Sequence, residues 1–220
     1  MPVDQGKQLL EQFLAEKPNF HEWSDGTAWM VLPDALRWIY DHLCPGMNTL
    51  ETGAGHSTVV FAVAGTHHIC IMPSQEESAR ITAYCSKLHV GEQLTFLQDS
   101  SDTALPCSNL IPPQLDFIFI DGAHRFPFPF IDFHYSASRL KIGGILGLDD
   151  TNIPSVKILY DFLCQESDWE KLEKIGKTAF FRKIALPDIT DDWQGQNLNK
   201  RSLYFQKAKL SKSIKGLLSR

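Results

Sequence analysis

"LDFIFIDGAH", residues 115–124, is the stretch on which the fold turns. Its first part is almost wholly apolar, as expected of a central parallel strand covered on both faces rather than of a strand with one wet side. The acid and glycine that follow end the strand abruptly, and an ionisable group at that end points to chemistry rather than packing. Working outward, the same alternation recurs. Strands are expected at 48–52, 68–72 and 93–98, with helices at 56–64 and 74–88 between them. Downstream come a helix to about Leu140, a strand in "GGILGLD", a helix over Pro154–Cys164 and a hairpin pivoting on Gly176. Upstream, helices over Gln5–Lys17 and Pro33–Leu43 each carry one apolar face. The expected fold is α/β: a Rossmann-like, doubly wound, mostly parallel sheet with an antiparallel C-terminal hairpin strand at its edge. The organisation reads as an N-terminal helical segment and lid at 1–45, the α/β domain at 46–186, and a C-terminal extension with a basic tail at 187–220.

Composition narrows the function classes. The 220 residues are 43% hydrophobic and 21% charged, enough for one α/β domain with a full core. The net charge of −5 argues against a nucleic-acid binder, but it is unevenly spread. Of 21 basic residues seven lie between Lys200 and Arg220, where there is no acid, leaving 14 bases against 26 acids in the body. The five cysteines are scattered with no CxxC pair, so neither a disulfide framework nor a zinc knuckle is indicated. The N-terminus lacks a signal-peptide pattern and no run is long enough to span a bilayer, so a cytoplasmic location is expected.

In a doubly wound sheet ligands bind outside the carboxyl ends of the strands. Four of the five such ends carry carboxylates, at Glu51, Asp99, Asp121 and Asp149. They repel one another unless a cation or ligand lies between them. In "TLETGAGHST", residues 49–58, Gly53 and Gly55 permit a tight turn and close backbone approach. A dinucleotide-binding GxGxxG would need glycine at Thr58, and Glu51 opposes a pyrophosphate, so a nicotinamide-dependent oxidoreductase is disfavoured. A carboxylate there suits a cationic ligand end; the bland alternative is a plain strand–helix turn. His124 is a candidate general base or a packing histidine. Asp149–Asp150 is a candidate cation site or a helix-capping loop. The rings of "HRFPFPFIDFHY" either border an acceptor pocket or pack on the sheet. His67–His68 opens a strand and reads as structural.

Acid-x-Gly-x-Gly after the first strand resembles the first motif of class I S-adenosylmethionine-dependent methyltransferases. "DFIFIDGAH" with "RLKIGGILGLDD" is similar to later motifs of the subgroup that methylates hydroxyls, including metal-dependent sugar and natural-product O-methyltransferases. The resemblance spans about Thr49 to Ile184. It implies that Glu51, Gly53 and Gly55, with Ser57, line the methionine end of S-adenosylmethionine, and that Asp99 with Ser100 lies near the adenine. It further implies that Asp121, Asp149 and Asp150 hold a divalent cation such as Mg²⁺, with Asp121 catalytic through that role; such an ion would acidify and orient a small-molecule hydroxyl, and His124 is the better candidate to take its proton. One departure stands out: Met72 occupies the strand end where the family carries an acid that grips the ribose hydroxyls. Ser74 or Gln75 are the available substitutes. That departure sustains the rival reading, a non-catalytic or altered-ligand binding protein on the same fold.

A homo-oligomer is expected. Trp23, Trp29 and the turn at 24–26 are lid candidates. In the tail, Leu210, Ile214, Leu217 and Leu218 share one helical face with lysines around it, a pattern for an anionic membrane or partner as well as for a solvated terminus. Each basic residue near an anionic surface contributes roughly 1 kcal/mol at low salt. Full-length protein should therefore float with anionic vesicles at low salt, and a chain ending at Asn199 should not. Equal flotation of both chains, or of neither, assigns the tail to solvent.

Overall fold

A computed structural model describes residues 3–21, 30–186 and 196–199. The lid candidates between residues 23 and 29, and the basic tail, lie outside the described residues. The elements in chain order are α1 (Val3–Glu16), α2 (Pro33–Asp41), β1 (Asn48–Thr52), α3 (His56–Val63), β2 (His67–Ile71), α4 (Gln75–Lys87) and β3 (Leu94–Leu97). They continue with α5 (Ser101–Cys107), β4 (Leu115–Ile120), α6 (Phe128–Ala137), β5 (Leu140–Leu148), α7 (Pro154–Leu163), β6 (Trp169–Ile175) and β7 (Thr178–Lys183). The strands form one sheet in the order β3-β2-β1-β4-β5-β7-β6. The first five strands run parallel, and β7 pairs antiparallel with both β5 and β6.

The apolar run of β4 divides by strand alternation between two cores. Phe117 and Phe119 pack with α1, α2 and α3 residues such as Phe13, Leu36, Ile39 and Phe61. Ile118 and Ile120 face Leu105, Leu159 and Leu163 on the other side. Phe180 and Phe181 on β7 are split the same way, so each face of the sheet buries one ring of that pair. Leu10, Phe13, Phe20 and Leu36 from the N-terminal segment belong to the first of these cores.

The fold class is as expected, with two differences. The antiparallel strand is not at the edge: β7 lies between β5 and β6, and β6 takes the edge. The reason is burial, because Ala179, Phe180 and Phe181 are fully enclosed whereas β6 presents Glu170, Lys171, Glu173 and Lys174 outward. Charged side chains on an edge strand discourage pairing with another chain. The second difference is α5, a seven-residue helix containing Pro106 that is too short to leave a periodic signature. Among the described residues no helix is long and apolar enough to cross a membrane.

Close packing leaves no room beside the central strands. A Cβ built on Gly147 in β5 would lie 2.5 Å from the Phe119 ring and 3.2 Å from that of Phe180. Gly147→Ala should therefore destabilise the protein by about 1–3 kcal/mol through overpacking. That corresponds to a melting temperature roughly 3–10 °C lower, readable by thermal denaturation.

Candidate active site

Strand order reverses at β1, which has β2 on one side and β4 on the other, so a crevice opens above their carboxyl ends. Backbone bonds lace these ends together: Asp121 N–H donates to Thr52 O at 3.0 Å, and Gly53 N–H donates to Ile71 O at 2.9 Å. Gly53 has φ +85°, and a Cβ there would stand 2.1 Å from the Asp121 carbonyl oxygen. Only glycine fits. The crevice holds a cavity of about 640 Å³ whose lining includes Gly53, Met72, Asp99, Ser100, Asp121 and Phe128. The expected adenine-side pair and Asp121 thus share one cavity, and of the aromatic run Phe128 borders it.

Glu51 is elsewhere. It is fully buried beneath the glycine turn and is not part of the cavity wall. Ser57 Oγ donates to its Oε1, Thr58 Oγ1 donates to Oε2 at 2.6 Å, and His68 Nε2 lies 3.3 Å from Oε2. The network assigns the protons. Thr66 Oγ1 donates to Phe61 O, so Thr49 Oγ1 donates to Thr66 and accepts from His68 Nδ1–H at 2.8 Å. A proton must also bridge His68 Nε2 and Glu51, whichever of the two owns it. Gly55 N–H donates to Thr58 Oγ1, and Cys70 Sγ–H donates to Gly53 O, so the cluster grips the turn from below. Burial, then the Glu51 charge, pushes the Cys70 thiol well up, which keeps it a neutral donor. In this structure the acid before the glycines braces the turn from below and does not reach the cavity wall. Ser57 and Gly55 act with it; neither lines the cavity. The signal available in the sequence was the register, since Glu51 sits opposite Cys70 and Thr49 opposite His68.

The remaining acids are also arranged differently from expectation. Lys177, at the β6–β7 turn, places Nζ 3.1 Å from Asp149 Oδ2 and 2.8 Å from Asp150 Oδ1. Thr178 Oγ1 donates to Asp149 Oδ1, and His124 Nε2 lies 2.9 Å from Asp150 Oδ2. Asp149 Oδ2 receives the ammonium as a charge contact without a well-aligned hydrogen bond. Burial works to raise the Asp150 carboxyl, but the hydrogen bonds from His124 and Lys177 outweigh it and hold it down at about 2. Asp121 goes the other way: burial, followed by repulsion from Asp149, Glu51 and Asp150, pushes it well above the usual carboxylate range. Asp121, His124 and Asp150 each offer a ligand atom within 4.8 Å of one another, whereas Asp149 is turned toward the hairpin. Of the expected metal set, Asp121 and Asp150 are thus grouped with His124, while Asp149 and Asp150 share the Lys177 ammonium. Lys177 escaped the sequence reading because nothing local ties residue 177 to residues 149 and 150.

Two further features border the cavity. His21 Nδ1 meets Glu77 Oε1 at 3.0 Å and Arg80 Nε donates to Phe20 O at 2.8 Å, which pins the chain after α1 onto α4. Below Gly122, Asp132 is fully buried, and neither of its oxygens has a well-formed hydrogen bond. Ser101 and Thr52 are its nearest polar company, and burial raises its carboxyl.

Comparison with known proteins follows this geometry. Residues 50–151 match the family model of a methyltransferase domain. No curated protein matches the chain. A candidate caffeoyl-CoA O-methyltransferase from Staphylococcus aureus superimposes with a TM-score of 0.62 at 15% identity, covering 82% of this chain and 99% of that one. The O-methyltransferase TomG from Streptomyces achromogenes, involved in tomaymycin synthesis and solved with SAM, gives 0.60 at 13% identity over 84% of this chain and 92% of its own. An O-methyltransferase from Bacillus cereus in complex with SAH gives 0.60 at 15% identity over 84% and 93%. At such identities the likeness shows the fold, which is that of the class I methyltransferases, and the resemblance read from the motifs is borne out.

The orphaned Asp132 yields a stability test. A carboxyl whose folded-state pKa is raised contributes stability at acid pH and loses it as pH rises through the folded value. Asp132→Asn should accordingly stabilise the protein at pH 8 by about 1–2 kcal/mol, and the gain should vanish as pH falls toward 4. Urea denaturation of both proteins at the two pH values reads the difference.

Proposed function

We propose, for a chain whose central residues match a methyltransferase domain, that it transfers a methyl group from S-adenosylmethionine to an oxygen of a small molecule. The observation that carries this reading is the cavity itself: a nucleoside-sized space over the glycine turn, with Asp99 and Ser100 on one wall and Asp121 on another. A cradle in which any side chain on Gly53 would strike Asp121 fits a ligand that must approach the backbone closely. When bound, the cofactor supplies an electrophilic methyl on a sulfonium.

The chain's own residues then divide the work. The Gly53 turn, stiffened from beneath by Glu51, allows close approach to the backbone. Met72 lines the cavity without offering a hydrogen bond acceptor for ribose hydroxyls, while Glu76, on the first turn of α4 and in the same wall, can accept them. Asp121 borders the cavity and is suited to take the proton of an attacking hydroxyl, because burial pushes its carboxyl well above the usual carboxylate range. His124 meets Asp150 through Nε2, so its Nδ1 is the ring atom left to act as a second base. The proton of the attacking hydroxyl would pass to one of these groups.

Met72 favours one rival: an altered ligand on the same fold, bound without methyl transfer. Calorimetric titration of the full chain with S-adenosylmethionine and with its demethylated product decides between them. Both should bind, and Glu76→Ala should weaken them roughly 10- to 100-fold, the worth of a charged hydrogen bond. Binding of neither, with adenine nucleotides taken up instead, would transfer the site to the rival reading.

A further inference from the structure

We propose that Lys177 is the resident cation of this site: its ammonium fills the place of a divalent metal ion between Asp149 and Asp150 and positions His124 through Asp150. The donor set argues for it. All four oxygens of the aspartate pair are engaged, Asp149 with Thr178 and Lys177, Asp150 with Lys177 and His124. A hard divalent ion takes about six oxygen ligands, several of them waters, and of these acids Asp121 alone could serve it without displacing a cationic or donating neighbour. The two groups nearest the pair, Lys177 Nζ and His124 Nε2, are both donors as they stand, and a metal ion would have to expel both.

Lys177 is built in rather than passing by. Its carbonyl accepts from Thr151 N–H at 2.9 Å and from Thr151 Oγ1 at 2.7 Å, so the hairpin turn is fastened to the loop that carries the two acids. Its side chain is only 22% exposed and lies against a carboxylate that is 1% exposed, so the charge pair is shielded from screening. Asp150 adopts φ +52°, an uncommon conformation for a non-glycine residue, and in it one oxygen reaches Lys177 while the other reaches His124. Lys177 is thus a positioning residue. It orients Asp150, which in turn directs the His124 ring.

This deepens the functional reading above, yet its first test is independent of it. In thermal denaturation of the full chain, wild type should melt at the same temperature in EDTA and in millimolar Mg²⁺, Mn²⁺ or Ca²⁺. Lys177→Ala should melt lower in EDTA and recover by about 3–6 °C in millimolar divalent ion, because removing the ammonium uncovers the aspartate pair. Lys177→Arg should behave as wild type. A wild-type melting temperature that rises with metal, or a Lys177→Ala protein deaf to metal, overturns the proposal. Should the alanine variant not fold, Mn²⁺ titration of wild type followed by electron paramagnetic resonance still decides: stoichiometric binding overturns it, and its absence supports it. Titration with the demethylated cofactor in EDTA and in Mg²⁺ should give equal affinity. Binding only in Mg²⁺ overturns the proposal, whereas failure to bind in either condition counts against methyl transfer and leaves the melting result standing.

Discussion

A carboxylate with no access to water sets the shape of the whole crevice. Glu51 is stranded in the interior, where an unpaired charge costs several kcal/mol, so it survives only because Ser57, Thr58 and His68 converge on it. Each of those partners has its own obligation. Thr58 also holds the Gly55 amide, and His68 is stacked on Phe61 and tied to Thr49. The result is a rigid underside to the first strand–helix turn, reached from β1, β2 and α3 at once. Gly53 then has nowhere to go but against the carbonyl at the end of β4, and the cavity takes its form from that approach.

Much of this fold was legible because its signals are local. The apolar run of β4, the glycines after β1 and the polar cap at Ser74 each announce themselves within a few residues, and the strands appear close to where periodicity put them. What was not legible depends on pairing across long stretches of chain. Glu51 reads as a ligand-facing acid until the register sets it opposite Cys70 with His68 near by. The acids at the strand ends read as a metal set until Lys177 is brought back by a hairpin. The interior position of β7 is likewise a matter of which strand has two apolar faces, and Phe180 next to Phe181 was the available clue. Candidate residues were therefore identified more surely than their roles. Asp99, Ser100 and Asp121 share the cavity, while Glu51, Gly55 and Ser57 support it from behind.

The hairpin does more than widen the sheet. Lys177 reaches the acids at one end of β7, and at the other end Lys183 is buried with Nζ bonded to the carbonyls of Ala137 and Leu140 at 2.8 and 3.0 Å. Burial lowers that ammonium, yet it satisfies the buried carbonyls of Ala137 at the end of α6 and Leu140 at the start of β5. Both cations are carried inward on the same hairpin, whose rings also seal the two cores. Electrostatic completion of the site and hydrophobic closure of the sheet are thus one event.

The order in which the chain leaves the ribosome gives this a consequence. Every element from α1 to β5 emerges before the hairpin, so a nascent chain can assemble the parallel strands and the glycine turn with Asp149 and Asp150 still lacking their counter-charge. Until β7 arrives, the far edge of β5 is unpaired and the two acids repel, so the half-made crevice is held apart. The acids gain the ammonium only with the hairpin in place, β7 lying between β5 and β6. A chain ending before the hairpin would carry nearly all the motif residues and yet leave Asp149 and Asp150 without their counter-charge.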